Sequence, residues 1–165
     1  MHSASEPTSI TLDRHLSAAG AAAASFARLW ESVWVQPYVG AELLEMCRLT
    51  LARLHQNEPE LRTINPRLGA AAPSAARRAS LQAGEACRSR LFSAAEKAVL
   101  LFCECYGLDP QSIADDVADE AKAHLGEAGL VFLIEALGLI DGRIRTARCL
   151  RDLGPAAWPE SAHGR

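Results

Sequence analysis

One stretch of this 165-residue chain, residues 130–140, places the strongest constraint on the fold. In a helical projection it is apolar on every side except at Glu135. A helix that is apolar all round must be covered by more than one neighbour. We expect the other helices of one small domain to be too few to cover it on all sides. We therefore expect this helix, or the one that carries Glu45, to lie at a subunit contact of a symmetric homo-oligomer.

The rest of the chain has helical patterns and no strand-like alternation. Alanine, leucine and arginine are frequent, and aromatic residues make up only 5%, a mixture that favours helices over sheets. Ser93 and Glu96 have the spacing of a capping box, in which each side chain accepts a hydrogen bond from the other residue's backbone amide. We predict an all-α fold, with helices over residues 12–34, 37–55, 74–88, 92–106, 110–125 and 128–150.

The length suits a single domain. Residues 1–24 are expected to form a flexible or alanine-rich N-terminal extension, residues 25–153 the helical domain, and residues 154–165 a disordered tail. The net charge of −3 gives no basic patch of the kind that binds nucleic acid. The sequence lacks the pattern of a signal peptide and a long uncharged apolar run, so we expect neither secretion nor membrane insertion.

The five cysteines are odd in number, and most stand beside apolar residues in helical patterns. A secreted disulfide framework is more often even-numbered and loop-rich, so we predict a reducing, cytoplasmic location. Cys103 and Cys105 point about 160° apart on a helix, which predicts core packing rather than pairing. We expect no metal, because the His, Cys and carboxylate spacings show no zinc pattern, and no cofactor, because phosphate loops and dinucleotide fingerprints are absent.

Three stretches carry a resemblance to one protein family, and they read ELLEMCRLTLARLHQNEPELR, LFSAAEKAVLLFCECYGLDPQSI and AHLGEAGLVFLIEALGLIDGRIRTARCL. In this order and spacing they resemble the alkylhydroperoxidase D-like (AhpD-like) branch of the carboxymuconolactone decarboxylase family. The likeness covers about residues 29–153. It implies an AhpD-like helical domain that assembles into homo-oligomers. In the peroxidase members, a Cys-x-x-Cys pair supplies a peroxidatic and a resolving thiol, while an upstream glutamate and a downstream histidine relay protons.

The resemblance places the two cysteine positions of that motif on Asn57 and Glu60, so both sulfur atoms are missing. The upstream glutamate falls on Glu45, which matches. The downstream histidine falls near Ile64, which does not, and His55 precedes the motif rather than replacing that histidine. A thiolate is the nucleophile of this chemistry and a second thiol must close the disulfide. We therefore expect no dithiol-dependent peroxidase reaction at this position.

If a site remains, we expect it on the polar side of the helix that ends at His55. Arg48 and His55 project about 20° apart, and Glu45 lies about 60° further round, so the three would line a cleft. Glu45 and His55 are the candidate catalytic residues, because either could carry a proton. The candidate ligand-binding residues for a small acidic molecule are Arg48, Asn57 and Glu60.

Structural alternatives stay open for these residues. Glu45 could be a solvated helix glutamate or one paired with Arg48 across a turn. His55 could be a helix C-terminal histidine that the helix dipole favours. Asp141, Arg145 and Arg148 have the spacing of a structural ion-pair set.

The functional prediction is a family member without the redox-active cysteine pair, which binds a small molecule or performs cysteine-independent chemistry. Three alternatives remain beside it. The first is antioxidant activity of the alkylhydroperoxidase or peroxiredoxin type through a displaced cysteine. The second is a decarboxylase-like lyase, since the wider family includes enzymes that act on carboxylated lactones without the thiol pair. The third is a non-catalytic structural oligomer.

Overall fold

The computed structural model describes residues 6–153, apart from the side chain of Ala18. No strand occurs in this part of the chain, which confirms the all-α prediction. The parts of the predicted extension and tail that fall on residues 1–5 and 154–165 lie outside the described residues. The described α-helices are α1 (Leu12–Leu16), α2 (Gly20–Val33), α3 (Ala41–Leu54), α4 (Glu58–Arg62), α5 (Ala75–Gln82), α6 (Ala94–Leu108) and α7 (Asp115–Leu153).

Helix α3 lies at the centre of the fold, in contact with α4, α5, α6 and α7. Its apolar face is buried, as Leu44, Cys47 and Leu51 show. The opposite, polar face is buried as well, because Glu45 is 1% exposed and Arg48 is 0% exposed. Both sides of α3 therefore belong to the interior of the domain.

Helix α3 begins at Ala41 rather than at the predicted Pro37. The side chain of Gln36 organises the preceding turn, since its Oε1 accepts hydrogen bonds from the amides of Tyr38 (2.7 Å) and Val39 (3.0 Å). The residues that the sequence pattern assigns to the first turn of the helix therefore belong to this turn instead.

Two glycines set helix boundaries through positive φ angles. Gly84 has φ +71° and follows α5, which ends at Gln82 instead of near the predicted residue 88. Gly126 has φ 71° and ψ 173° inside α7, so α7 consists of two helical segments that meet at this residue. Glycine adopts such angles without the strain that a Cβ atom imposes. The break agrees with the two separate helices predicted over residues 110–125 and 128–150.

The start of α6 has the predicted capping box. The Ser93 Oγ accepts a hydrogen bond from the Glu96 amide (3.2 Å), and the Ser93 amide donates to Glu96 Oε2 (2.8 Å). Arg77 of α5 also donates to Glu96. Burial raises the pKa of Glu96, but the hydrogen bonds from Ser93 and the contact with Arg77 outweigh it, so this pKa lies below its ordinary value.

The apolar stretch of α7 is covered on one side within the chain. Leu133, Leu137 and Ile140 are fully buried, whereas Val131 is 53% and Ile134 is 42% exposed. Helix α7 is long and apolar enough, by length and composition, to cross a membrane. Only 28% of its most apolar 18-residue stretch is buried. Among the described residues, α7 therefore does not reach the burial on most sides that the sequence predicts.

The N-terminal segment, defined here as residues 6–13, packs into the domain. Leu12 is fully buried, and Ser9 is 0% exposed. Arg143 of α7 donates to the Ser9 carbonyl (2.9 Å) and to Asp13 Oδ1 (2.8 Å), and its guanidinium lies 4.3 Å from the centre of the Trp30 ring. The packed domain therefore begins before the predicted boundary at residue 25, because these long-range contacts have no signature in the local sequence.

Candidate functional site

Arg48 is the centre of a buried ion-pair cluster. Its Nε and Nη2 donate to the two carboxylate oxygens of Glu45, at 2.8 and 2.6 Å. Its Nη1 donates to Glu60 Oε1 (2.6 Å) and to the Glu60 carbonyl (3.0 Å), and Nη2 also donates to the Thr63 carbonyl (3.0 Å). A guanidinium has five N–H donors, so every donor of Arg48 already has an acceptor.

The charges of this cluster are arranged around the guanidinium. Burial alone would lower the pKa of Arg48, but the charges and hydrogen bonds of Glu45 and then Glu60 outweigh it and raise this pKa above its ordinary value. Arg78 of α5 supplies a second cation, with its Nη1 3.8 Å from Glu45 Oε1. Asn65 Nδ2 donates to Glu45 Oε2 at 3.4 Å. The carboxylates of Glu45 and Glu60 thus face two guanidinium groups, of which Arg48 is fully buried and Arg78 is 16% exposed.

The N-terminal segment closes the cluster over Glu60. The Ser9 amide donates to Glu60 Oε2 at 2.7 Å, and the Ser9 hydroxyl donates to Glu60 Oε1. Both residues are 0% exposed. Sequence reasoning missed Ser9, because it lies in a polar stretch without periodicity and meets Glu60 only through the tertiary fold.

Asn57 joins the cluster as the N-cap of α4. Its Oδ1 accepts hydrogen bonds from the Glu60 amide (3.4 Å) and from Arg151 Nη2 (2.8 Å), and Arg151 also donates to the Pro7 carbonyl. Within residues 6–153, its buried Nδ2 has no hydrogen-bond partner. Asn57 therefore links α4, the end of α7 and the N-terminal segment.

His55 lies in a separate cluster against α7. Its Nε2 is 2.5 Å from Asp141 Oδ1, and Arg145 Nε donates to Asp141 Oδ2 at 2.7 Å. The predicted pairing of Asp141 with Arg145 is confirmed. Arg148 instead donates to the His55 carbonyl (3.1 Å) and lies 3.8 Å from Asp152. No hydrogen bond among the described residues joins His55 to the buried ion-pair cluster.

The structure thus brings four of the five candidate residues together and separates the fifth. The buried ion-pair cluster holds Glu45, Arg48 and Glu60 in direct contact, with Asn57 beside them. All four side chains are buried among the described residues, whereas the sequence predicts that they line a cleft. A small acid could reach Arg48 only by displacing a buried carboxylate or a backbone carbonyl. The alternative in which Glu45 pairs with Arg48 across a turn is confirmed.

The cysteines lie apart from this cluster. Cys103 is fully buried, as predicted for core packing, whereas Cys105 is only half-buried. Cys47 is also fully buried, and the Cys103 thiol is 3.6 Å from its carbonyl. Burial, reinforced by Cys47, raises the pKa of Cys103 well above its ordinary value. Cys87 is exposed, and burial of part of its thiol followed by the charge of Glu104 raises its pKa as well. A raised pKa reduces the fraction of thiolate, which is the reactive form.

Comparisons of the chain with protein-family models, with curated proteins and with solved structures find no match. The proposed function therefore rests on the geometry of the described residues and on the resemblance of the sequence to the AhpD-like branch.

Proposed function

We propose that this protein is a non-catalytic, homo-oligomeric member of the AhpD-like branch of the carboxymuconolactone decarboxylase family. In it, a closed ion-pair cluster stands where the peroxidases of that branch have their reactive thiols. The observation that carries this proposal is the saturation of Arg48, whose five N–H donors all bind acceptors inside the protein. A reactive or ligand-binding centre needs groups that are free to contact another molecule.

The thiol chemistry of the family has no support at this position. Asn57 and Glu60 stand at the two cysteine positions that the resemblance assigns, and neither side chain can form a sulfenic acid. Among the other thiols, Cys47 and Cys103 are shielded from solvent. The pKa of Cys87 is raised by burial, which disfavours its thiolate.

The exposed apolar face of α7 supports assembly through a second copy of the chain. Val131, Ile134 and Gly138 lie on one side of the helix and are exposed, as is Glu135 beside them. The stacked rings of Tyr38 and Phe132, 5.8 Å apart, extend this surface. A two-fold axis brings the same patch of both subunits into contact, so one such surface suffices to form a dimer.

A membrane is a poorer occupant of the same face. The helical segment between the break at Gly126 and the charged Asp141 has about 14 residues, which span about 21 Å at 1.5 Å per residue. The hydrocarbon core of a bilayer is about 30 Å thick. Arg143 and Arg145 follow immediately, so the apolar stretch cannot be extended in that direction.

Assembly is tested by light scattering on wild-type protein and on the double variant Val131→Asp/Ile134→Asp. Completing the burial of these half-exposed side chains contributes about 1 kcal/mol each, or about 4 kcal/mol over two copies, which is about a thousandfold in the dissociation constant. The variant should therefore be monomeric. Val35→Asp, at a residue that is 82% exposed outside this face, is the control and should leave the mass unchanged. A monomeric wild type at micromolar concentration contradicts the proposal.

The absence of thiol chemistry is tested separately. Reduced protein should show no dithiol-dependent turnover of hydrogen peroxide or an organic hydroperoxide above a protein-free control. Turnover that disappears when one cysteine is replaced by serine would instead establish a peroxidase with a displaced thiol.

A further inference from the structure

The part of α7 that follows Gly126 carries a continuous stripe of exposed residues. These residues recur at alternating intervals of four and three along the chain, and they fall within an arc of about 80° on the helix surface. This spacing is that of a coiled-coil seam, whose members all contact one partner helix. The residues of this surface, called here the α7 stripe, are Val131, Glu135, Gly138, Gly142, Arg145 and Cys149.

The α7 stripe contains one acid and one base, which do not contact each other. The Glu135 carboxylate is exposed and has no ion pair or hydrogen bond within residues 6–153. Arg145 donates through Nε to Asp141, but its Nη1 and Nη2 have no acceptor in this part of the chain. The Arg145 side chain is 61% exposed, so these donors can reach another molecule. About ten residues, or about 15 Å along the helix, separate the two charges, so only a second copy of the chain brings them together.

The positions of these charges favour one arrangement of two copies. In an antiparallel pair, a two-fold axis at the level of residue 140 places positions 135 and 145 opposite each other. Glu135 of each copy then meets Arg145 of the other, and two ion pairs form. A two-fold axis at Ile134, in the middle of the apolar patch, instead brings the two Glu135 residues to within about 3 Å of the same level along the helices. Like charges that face each other oppose association.

We propose that a second copy docks antiparallel on the α7 stripe, with the two-fold axis at the level of residue 140 and Glu135 bound to Arg145 of the second copy. This arrangement rests on the proposed homo-oligomer and adds the orientation and register of its contact. In this register Val131 faces Cys149 of the second copy. Leu153, which is 66% exposed, lies one turn beyond Cys149 and adds apolar surface beside Val131.

The ion pairs are tested by charge exchange, with the dissociation constant of the dimer measured by sedimentation equilibrium at low salt. Glu135→Arg and Arg145→Glu should each raise this constant at least about tenfold, because each change turns two attractions into two repulsions. The double variant Glu135→Arg/Arg145→Glu should return to within about threefold of the wild type. Arg90→Glu, at an exposed base outside α7, is the control for net charge and should have little effect.

The double variant also separates this contact from local damage. Loss of the contact between Arg145 and Asp141 persists in it, so a recovered dimer identifies the pair between copies. A dimer that is as weak in the double variant as in Arg145→Glu overturns the proposal.

The register is tested by disulfide formation with the native Cys149. Oxidised Val131→Cys should give a cross-linked dimer on a non-reducing gel, because opposite positions bring the two Cα atoms within the reach of about 7 Å that a disulfide requires. The wild type should give none, since its two Cys149 residues lie about 27 Å apart along the pair. Val131→Cys/Cys149→Ser is the control and should not cross-link.

The outcomes distinguish the register from the homo-oligomer itself. A cross-link that persists in the Cys149→Ser control means that the two positions 131 face each other, which overturns the register. A dimeric mass without the cross-link to Cys149 overturns the register and leaves the homo-oligomer standing. A monomeric wild type overturns both.

Discussion

Replacing Arg48 with methionine removes the centre of the buried ion-pair cluster and leaves the length of the side chain similar. All five hydrogen bonds from the guanidinium are lost, and the carboxylates of Glu45 and Glu60 stay in the interior. Glu45 keeps the weaker contacts with Asn65 at 3.4 Å and Arg78 at 3.8 Å. The substitution therefore creates two buried acids with incomplete partners.

The expected loss in the free energy of unfolding is about 4–6 kcal/mol. Removing one partner of a buried ion pair costs about 3–5 kcal/mol, because the remaining charge is left without compensation. Two pairs are broken here, but they share one guanidinium and each acid keeps another contact, so the two losses do not add in full. Since a domain has a total stability of about 5–15 kcal/mol, Arg48→Met should be close to unfolding at 25 °C.

Urea unfolding followed by far-ultraviolet circular dichroism measures this loss. Arg62→Met is the matched control, because Arg62 is 69% exposed and 4.0 Å from Glu58, and such a pair contributes at most about 1 kcal/mol. Ser9→Ala should lose about 1.5–3 kcal/mol, the contribution of a hydrogen bond to a charged group. Glu60→Gln in the Arg48→Met background should recover part of the loss, since it removes one buried charge. Equal stability of the Arg48→Met and Arg62→Met variants would refute the reasoning.

The remaining predictions concern the helix boundaries and the N-terminal segment. Glu96→Gln should lower stability by about 1–2 kcal/mol at pH 7. Because the pKa of Glu96 is lowered from 4.5, its contribution is present above that pH and lost as the pH falls through the folded value, so urea unfolding at pH 3 should show a smaller difference. Gly126→Ala should cost about 1–3 kcal/mol by the same assay, since φ 71° strains a residue with a Cβ atom. Leu12→Ala should cost about 2–5 kcal/mol because Leu12 is fully buried, whereas a loss near zero would make residues 6–13 a dispensable extension.

The elements that local sequence predicts are those whose signals lie within a few residues. The capping box of Ser93 and Glu96 starts α6 at the predicted place, because both partners are three residues apart. The break at Gly126 also agrees with the sequence, since a glycine separates two helical patterns. The sequence pattern does not predict the start of α3, because the Gln36 side chain organises the preceding turn. Neither a helical nor a strand periodicity encodes these contacts.

The candidate site was predicted in part for a related reason. A helical projection identifies Glu45 and Arg48 as neighbours, and the structure pairs them. The same projection places His55 near Arg48, but the chain leaves α3 at His55, and Asp141 of α7 binds its ring. A projection also treats a polar face as one that meets solvent or a cleft. Here that face meets Glu60 of α4, the loop residues Thr63 and Asn65, and Arg78 of α5.

The same residue types can form a reactive centre or a structural cluster. Which of the two they form depends on whether their remaining hydrogen-bond donors and acceptors are already paired within the protein. Glu45, Arg48 and Glu60 would make an acid-binding site if one edge of the Arg48 guanidinium were free. The carbonyls of Glu60 and Thr63 take the remaining donors of Arg48, and Ser9 binds both oxygens of Glu60. These contacts come from backbone atoms and from a residue 51 positions away in the chain. Because such partners have no pattern in the local sequence, only the tertiary fold distinguishes the closed cluster from an open site.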